Sequence, residues 1–237
     1  MAGAPGAGAF NATLNGTNLI STGGYGSNIS GQIPWLDPAG GSNSYLATFN
    51  GNATIAGNLL LCDRLWHNGN ISVTVVTSQA IVSPTWPARD ATGGTVGTGL
   101  LCLLEVSAAT GTGTPGLLLT YTNTTGGSGR LGSNIIPTLS SSAIGAVYFI
   151  GLQAGDTGIR SIEEFSLSAT WNSGTVNLVV YRVLASLPLS GAFIPYSIDA
   201  VTGGLPRLYN GSVPWLIFVP NTTTATNVSG QVVFTQG

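Results

Sequence analysis

The sequence is poor in charge. Charged residues make up 6% of the 237 positions, whereas about a quarter is usual. Lysine does not occur, and the six basic residues are all arginine: Arg64, Arg89, Arg130, Arg160, Arg182 and Arg207. A net charge of −2 provides no basic surface for nucleic acid and no polybasic segment for a membrane. We therefore expect neither nucleic acid nor a membrane among the partners.

Titratable groups that could support catalysis are also scarce. The single histidine, His67, follows Asp63 by four residues, and serine is abundant, so residue count alone does not exclude a Ser-His-Asp triad. However, there is no G-x-S-x-G motif, and on a strand Asp63 and His67 would stand about 13 Å apart. Glu163 and Glu164 are adjacent, so on a strand they face opposite ways and fit a structural pair better than glycosidase carboxylates. We expect no enzyme activity.

The cysteines do not suggest a metal or a disulfide. Cys62 and Cys102 lie in separate apolar runs, and with one histidine they form no zinc motif. A disulfide would need an oxidising compartment, whereas the N-terminal residues lack the basic and apolar regions of a signal peptide. We expect two buried free thiols, no metal and no cofactor.

Apolar residues and glycine are plentiful. Hydrophobic residues make up 43% of the chain, 35 residues are glycine, and the mean hydropathy is +0.35. This composition excludes a disordered chain, which would be charge-rich and apolar-poor. A free monomer with so little charge would be sticky. We therefore expect partners in an assembly to cover much of the surface.

Short β-rich runs separated by Gly, Pro, Asn and Ser predict an all-β protein, since helical periodicity is nearly absent. The clearest element is a predicted hairpin over residues 161–185, in which Phe165 to Trp171 and Val176 to Val180 alternate with polar residues around an Asn172-Ser173-Gly174 turn. Further strands are predicted at 58–66, 71–82, 98–108, 115–122, 144–153, 213–219 and 231–235. The prediction is a jelly-roll-like β-sandwich over residues 46–237, preceded by an extended N-terminal arm or edge strands over residues 1–45.

Four stretches carry a resemblance to a known family: "DRLWHNGNISVTVVTSQAIVSPTWPARDATG" (63–93), "GLLCLLEVSAATG" (99–111), "LLTYTNTTGGSGR" (118–130) and "LQAGDTGIRSIEEFSLS" with "TVNLVVYRVLA" (152–185). Together they resemble β-rich virion structural proteins of tailed double-stranded DNA bacteriophages. The resemblance covers roughly residues 59–190 and includes no catalytic signature. It implies a virion component made in the bacterial cytoplasm.

Within that class, a capsid decoration (cement) protein fits best. The sequence predicts no long helix, whereas a major capsid protein has one, and portal and terminase proteins are helical or bind nucleotide. The expected partners are the major capsid protein and two further copies of the chain in a homotrimer. The expected contact residues are Pro34 and Trp35 in the arm and Trp86, Arg89 and Asp90 in the loop over residues 83–97, since Trp and Arg often anchor interfaces. Ordinary packing explains the same residues equally well.

An alternative function is a receptor- or glycan-binding β-domain of a tail or head fibre. Aromatic faces suit sugar rings, and the seven tyrosines and the five tryptophans, at positions 35, 66, 86, 171 and 215, supply them. Core or subunit-interface positions explain these tryptophans as well.

Overall fold

A computed structural model of the chain describes residues 17–18, 31–204, 206–223 and 226–237. These residues form two antiparallel sheets and one helix of four residues, so the prediction of an all-β sandwich is confirmed; the jelly-roll topology stays a prediction. No helix in these ranges is long and apolar enough to cross a membrane. The elements are β1 (Thr17–Asn18), β2 (Ser44–Ala53), β3 (Gly57–Ile71), β4 (Gln79–Ala80), β5 (Leu100–Ala108), β6 (Leu117–Asn123), β7 (Arg130–Asn134), β8 (Val147–Gly151), β9 (Ile159–Leu167), β10 (Thr175–Leu189), β11 (Tyr196–Asp199), α1 (Ala200–Gly203), β12 (Arg207–Leu208), β13 (Pro214–Pro220) and β14 (Val228–Gln236).

The chain divides into two compact units. The described part of the first, which we call the terminal unit, comprises residues 31–63, 183–204, 206–223 and 226–237. The second, which we call the central unit, comprises residues 64–182 together with β1. β3 and β10 each contribute residues to both units. Most of the predicted arm, at residues 1–16 and 19–30, lies outside the described residues.

The terminal unit is a two-layer sandwich. One layer is a four-stranded sheet with β2 in the middle, β14 on one side, and β11 and β12 on the other. The other layer includes β13 paired with residues 57–63 of β3. Apolar side chains of both layers form one core. Its members include Trp35, Leu46, Phe49, Leu59, Leu61, Leu184, Leu187, Leu189, Leu208 and Phe218. The cores of such sandwiches are filled by alternate residues of each strand.

A bulge sets the phase of that alternation in β2. The strand pairs residue by residue with β14 until Val233 faces Thr48 and Phe234 faces Leu46, which leaves Ala47 as the extra residue. Burial follows the same shift, because Ser44 and Leu46 are buried before the bulge and Phe49 after it. The bulge therefore keeps both halves of β2 facing the core.

The central unit is built on one sheet in the order β1-β3-β10-β5-β8-β7-β6-β9-β4. The far end of this order returns to the chain just after β3, because the Gln79 side chain in β4 accepts from Ser72 N at 2.8 Å and donates to Ser72 O at 2.9 Å. The sheet thus curls around its own apolar cluster, which includes Trp66, Trp86 and Trp171. β5 and β10 pair over eight residues and are buried on both faces through much of their length.

The predicted hairpin over residues 161–185 is wrong in its pairing. β9 and β10 exist, and Phe165, Leu167 and Val176 to Val180 are buried, but β9 lies between β6 and β4 whereas β10 lies between β3 and β5. The intervening chain packs along residues 111–113 instead. Gly111 N donates to Ser173 O at 3.0 Å, and Asn172 N donates to Thr112 O at 3.0 Å. The predicted strand at 71–82 is likewise reduced to the end of β3 and the two residues of β4.

The prediction for the cysteines is confirmed. Cys62 and Cys102 are free and fully buried. Burial raises the pKa of both thiols far above the ordinary value, so both stay protonated at neutral pH.

Candidate interaction surface

The residues predicted to make contacts lie mostly inside the chain. Trp35, Trp86, Arg89 and Asp90 are buried, and Pro34 is exposed. Trp35 packs edge-on against Phe234 in the terminal unit, with ring centroids 5.1 Å apart. The four buried residues are therefore used within their own units, and the part of all five residues in an interface stays a prediction.

Trp86 fixes the loop over residues 83–97 to the core of the central unit. Its indole ring lies 5.5 Å from that of Trp66, centroid to centroid, and its Nε1 donates to Ile159 O at 2.8 Å. The ring thus contributes apolar area while its N–H is satisfied by backbone, as buried tryptophans require.

Asp90 organises the rest of that loop. Its carboxylate accepts from Thr92 N and Oγ1 at 2.9 and 2.7 Å, from Gly94 N at 2.7 Å, from Gly97 N at 3.1 Å and from Thr98 N at 3.2 Å. Burial alone would raise the pKa of Asp90, but the hydrogen bonds from Thr92, Gly94 and Thr98 hold it below its ordinary value. The loop is therefore a rigid structure closed around one carboxylate.

A buried polar cluster surrounds Arg64 in the central unit. The Arg64 Nη2 atom donates to Glu105 Oε2 at 2.8 Å and lies 2.9 Å from His67 Nδ1. Asn177 Nδ2 donates to the same Glu105 oxygen at 3.3 Å. A guanidinium can only donate, so His67 Nδ1 accepts and the imidazole proton sits on Nε2.

This arrangement does not assemble a Ser-His-Asp triad. Burial, followed by the positive charge of Arg64, lowers the pKa of His67 to about 3, so the ring is neutral. Asp63 instead accepts from Ser212 Oγ at 3.1 Å and from Val213 N at 2.8 Å. The predicted absence of enzyme activity remains a prediction.

The other acidic groups also have structural partners. Asp156 accepts two hydrogen bonds from Arg130, at 2.9 and 3.2 Å, and one from Tyr121 at 2.7 Å, and these bonds lower the pKa of Asp156 to about 2. Glu163 accepts from Thr122 at 2.6 Å, and Glu164 accepts from Ser78 at 2.8 Å. Within the described ranges, no three His, Cys, Asp or Glu side chains form a group that could hold a metal ion.

Much of the small supply of charge is buried. Of the 14 charged residues, six are buried: Asp63, Arg64, Arg89, Asp90, Glu105 and Arg182. Four are exposed, namely Arg160, Glu164, Asp199 and Arg207. The remaining four are half-buried, namely Asp37, Arg130, Asp156 and Glu163. The surface is therefore even poorer in charge than the composition indicates.

The central unit exposes a set of large apolar side chains. The exposed leucines and isoleucines of this unit have exposed fractions between 48% and 67%, and they are Leu118, Leu131, Ile135, Ile136, Leu139 and Ile144. Five of the six fall in residues 131–155, a stretch without any charged residue. We call these six residues the apolar set. Exposed apolar residues in one charge-free region are typical of a binding surface.

Three members of the set share one face of the sheet. Thr120 faces Leu131 and Leu118 faces Ser133 between β6 and β7, which places Leu118 and Leu131 on the same side. Ser133 in turn faces Gly151 of β8, and the Ile135 side chain reaches over Gly151, where a Cβ would lie 3.3 Å from Ile135 Cγ1. Glycine at position 151 thus leaves room for an exposed isoleucine.

The loop that carries Leu139 is held from its inner side. Trp171 Nε1 donates to Leu139 O at 3.0 Å, and Leu139 N donates to the Tyr148 hydroxyl at 3.0 Å. Both aromatic residues are buried, whereas the Leu139 side chain is exposed. The backbone is thus fixed before any partner binds, which reduces the entropy lost on binding.

Sequence reasoning did not single out the apolar set. The available signal was "NIIPTL", an apolar run without strand alternation inside a charge-free stretch. Trp and Arg are the usual interface anchors, but Trp35, Trp86 and Arg89 are buried within the chain.

The chain matches no protein-family model, no curated protein and no solved structure.

Proposed function

We propose that this chain is a virion structural protein of a tailed double-stranded DNA bacteriophage, and specifically a capsid decoration protein that binds and stabilises the head shell. The observation that carries the proposal is the apolar set, which lies on β6, β7 and the chain that follows β7, on a surface poor in charge. Such a surface costs free energy in water unless a partner covers it. The phage class itself rests on the sequence resemblance.

The proposed mechanism is mechanical. The chain bridges neighbouring capsid subunits and adds buried area across joints that internal DNA pressure strains. A specific contact of this kind buries on the order of 1,000 Å² or more. Because the contact is apolar, binding should depend little on ionic strength, unlike binding by exposed ion pairs. In this proposal the chain forms a homotrimer, is assembled in the host cytoplasm and binds at capsomer junctions.

The fibre alternative is less well supported. Sugar binding would use exposed aromatic faces, yet all five tryptophans are buried. The apolar set consists of leucine and isoleucine, which offer no planar face to a pyranose ring.

The deciding experiment counts the copies of this chain in purified virions against the major capsid protein by quantitative mass spectrometry. Hundreds of copies would support a position on the capsid lattice. A few to tens would favour the fibre alternative, and absence from clean particles would overturn the phage proposal.

A second experiment tests the surface. Leu131→Asp with Ile135→Asp should lower the occupancy of shells stripped of the native chain at least tenfold, because two apolar contacts are replaced by unpaired charges. Val201→Asp, at an exposed position of α1 in the terminal unit, is the matched control. Equal binding of both variants would exclude the apolar set as the contact.

A further inference from the structure

β14 forms the outer edge of the four-stranded sheet in the terminal unit, as far as the described residues show. β14 pairs over its nine residues with β2, whose other side pairs with β11 and β12. No strand of the described ranges pairs with the far side of β14. Six of its nine residues are exposed: Ser229, Gly230, Gln231, Val233, Thr235 and Gln236.

This edge lacks the features that usually protect an edge strand. Val228–Gln236 contains no charged residue and no proline, and the bulge in this pair lies in β2 rather than in β14. The other sheet edges of the terminal unit differ. β13 carries proline at both ends, and β11 and β12 have four and two residues. β14 is the one long edge here without such protection among the described residues.

The backbone groups that point outward follow from the pairing. Thr54 N donates to Asn227 O at 3.1 Å, Gln231 N donates to Asn50 Oδ1 at 3.0 Å, and Gly237 N donates to Asn43 O at 3.1 Å. The odd-numbered residues therefore direct their backbone groups toward β2. Because these groups alternate in direction, residues 228, 230, 232, 234 and 236 direct theirs to the free edge.

We infer that β14 pairs antiparallel with β14 of a second copy of this chain. Full overlap places Val232 opposite itself, Gly230 opposite Phe234 and Val228 opposite Gln236, so that all five outward residues of each strand are paired. A two-fold contact pairs β14 with the same sequence in the second copy. Charged residues in β14 would therefore place like charges close together and oppose the pairing. The absence of charge in β14 makes a second copy a suitable occupant, and the two sheets become one of eight strands.

This contact is independent of the proposed phage function. A two-fold contact does not close a trimer. If the proposed trimer also forms, β14 pairing would join trimers to each other.

The first test is a designed cross-link. Ser229 and Thr235 of the second copy would form a non-hydrogen-bonded pair with Cα atoms about 4.5 Å apart, within disulfide range. Oxidised Ser229→Cys/Thr235→Cys should run mainly as a dimer on non-reducing gels. Each single variant should stay mainly monomeric on these gels. Its one cysteine would face an unchanged Thr235 or Ser229 of the second copy and not another cysteine. Cys62 and Cys102 are buried and contribute no background.

The second test removes the contact. Gln231→Lys/Val233→Lys brings lysines opposite each other on the solvent face, away from the core, and should halve the molar mass measured by light scattering. Val201→Lys should leave it unchanged. A wild-type chain that is monomeric at high concentration, a mass that survives the double lysine variant, or cross-linking to a different protein in particles would overturn the inference.

Discussion

The two units bury apolar residues alike but treat charge differently. The central unit buries five charged residues, namely Arg64, Arg89, Asp90, Glu105 and Arg182, whereas the terminal unit buries only Asp63. The central unit combines its apolar cluster with ion pairs and a carboxylate-centred loop. The terminal unit relies almost wholly on apolar packing. Since a buried charge is tolerated only when paired, the central unit should be the more sensitive to single polar substitutions and to acid.

The largest effect is expected where the central unit loses its buried ion pair. Glu105→Gln leaves Arg64 fully buried without its carboxylate and should cost about 3–5 kcal/mol of unfolding free energy. Denaturant unfolding measures the cost, and hydrogen exchange of β5 and β10 locates it. Glu164→Gln makes the same chemical change at an exposed position and should cost little. Equal acceleration of exchange in both units would break the comparison.

The next effect tests the loop geometry of the central unit. Gly97 has φ of +88°, and a Cβ there would lie 1.8 Å from Ile159 O. Gly97→Ala should therefore cost about 3 kcal/mol, since backbone must move as well as adopt a strained conformation. Gly155 has nearly the same φ, +89°, with nothing within 4 Å of a Cβ. Gly155→Ala should show the conformational strain alone, about 1–2 kcal/mol, and equal losses at both positions would contradict the steric argument.

The third effect is a dependence on pH. The folded-state pKa of Asp90 is lowered, so its contribution to stability is present above the unfolded-state value of about 3.9 and is lost as pH falls through the folded-state pKa. Asp90→Asn should cost about 2 kcal/mol at pH 7, where charge-assisted bonds are lost, and less at pH 3. Thermal unfolding at the two pH values measures this difference. A cost that does not change with pH would show that the loop needs only the shape of the side chain.

The sequence predicted strands and buried faces better than it predicted neighbours. Alternation placed Val176, Leu178 and Val180 inward, and all three are buried. Alternation also placed Asn177 outward, which is wrong, because β10 is buried on both faces there. Alternation does not report which strand lies alongside. The turn at Asn172 looked like a hairpin, but a Cβ on Gly113 would lie 2.1 Å from Thr170 O, so the chain there packs against residues 111–113.

The candidate site was less predictable for a related reason. The acceptor for the Trp86 indole is the carbonyl of Ile159, 73 positions away in the sequence. No local pattern shows that such an acceptor exists, so a tryptophan in a loop resembles an interface anchor. The position of Leu139 likewise depends on Tyr148 and on Trp171, which hold its backbone from nine and 32 positions further along the sequence.

The smallest effect belongs to the terminal unit and sharpens the comparison. Asp199 caps α1, accepting from Val201 N at 3.0 Å and Thr202 N at 2.9 Å, and Thr202 Oγ1 completes the capping box. The hydrogen bonds from Thr202 lower the pKa of Asp199, but the residue is exposed and the helix has four residues. Asp199→Ala should therefore lower the free energy of unfolding less than any of the changes above, because an exposed N-cap on so short a helix contributes little. Asp199→Ser, which can still cap, should recover most of that loss in denaturant unfolding. A loss as large as that of Glu105→Gln would show that the terminal unit depends on a charged side chain as strongly as the central unit does.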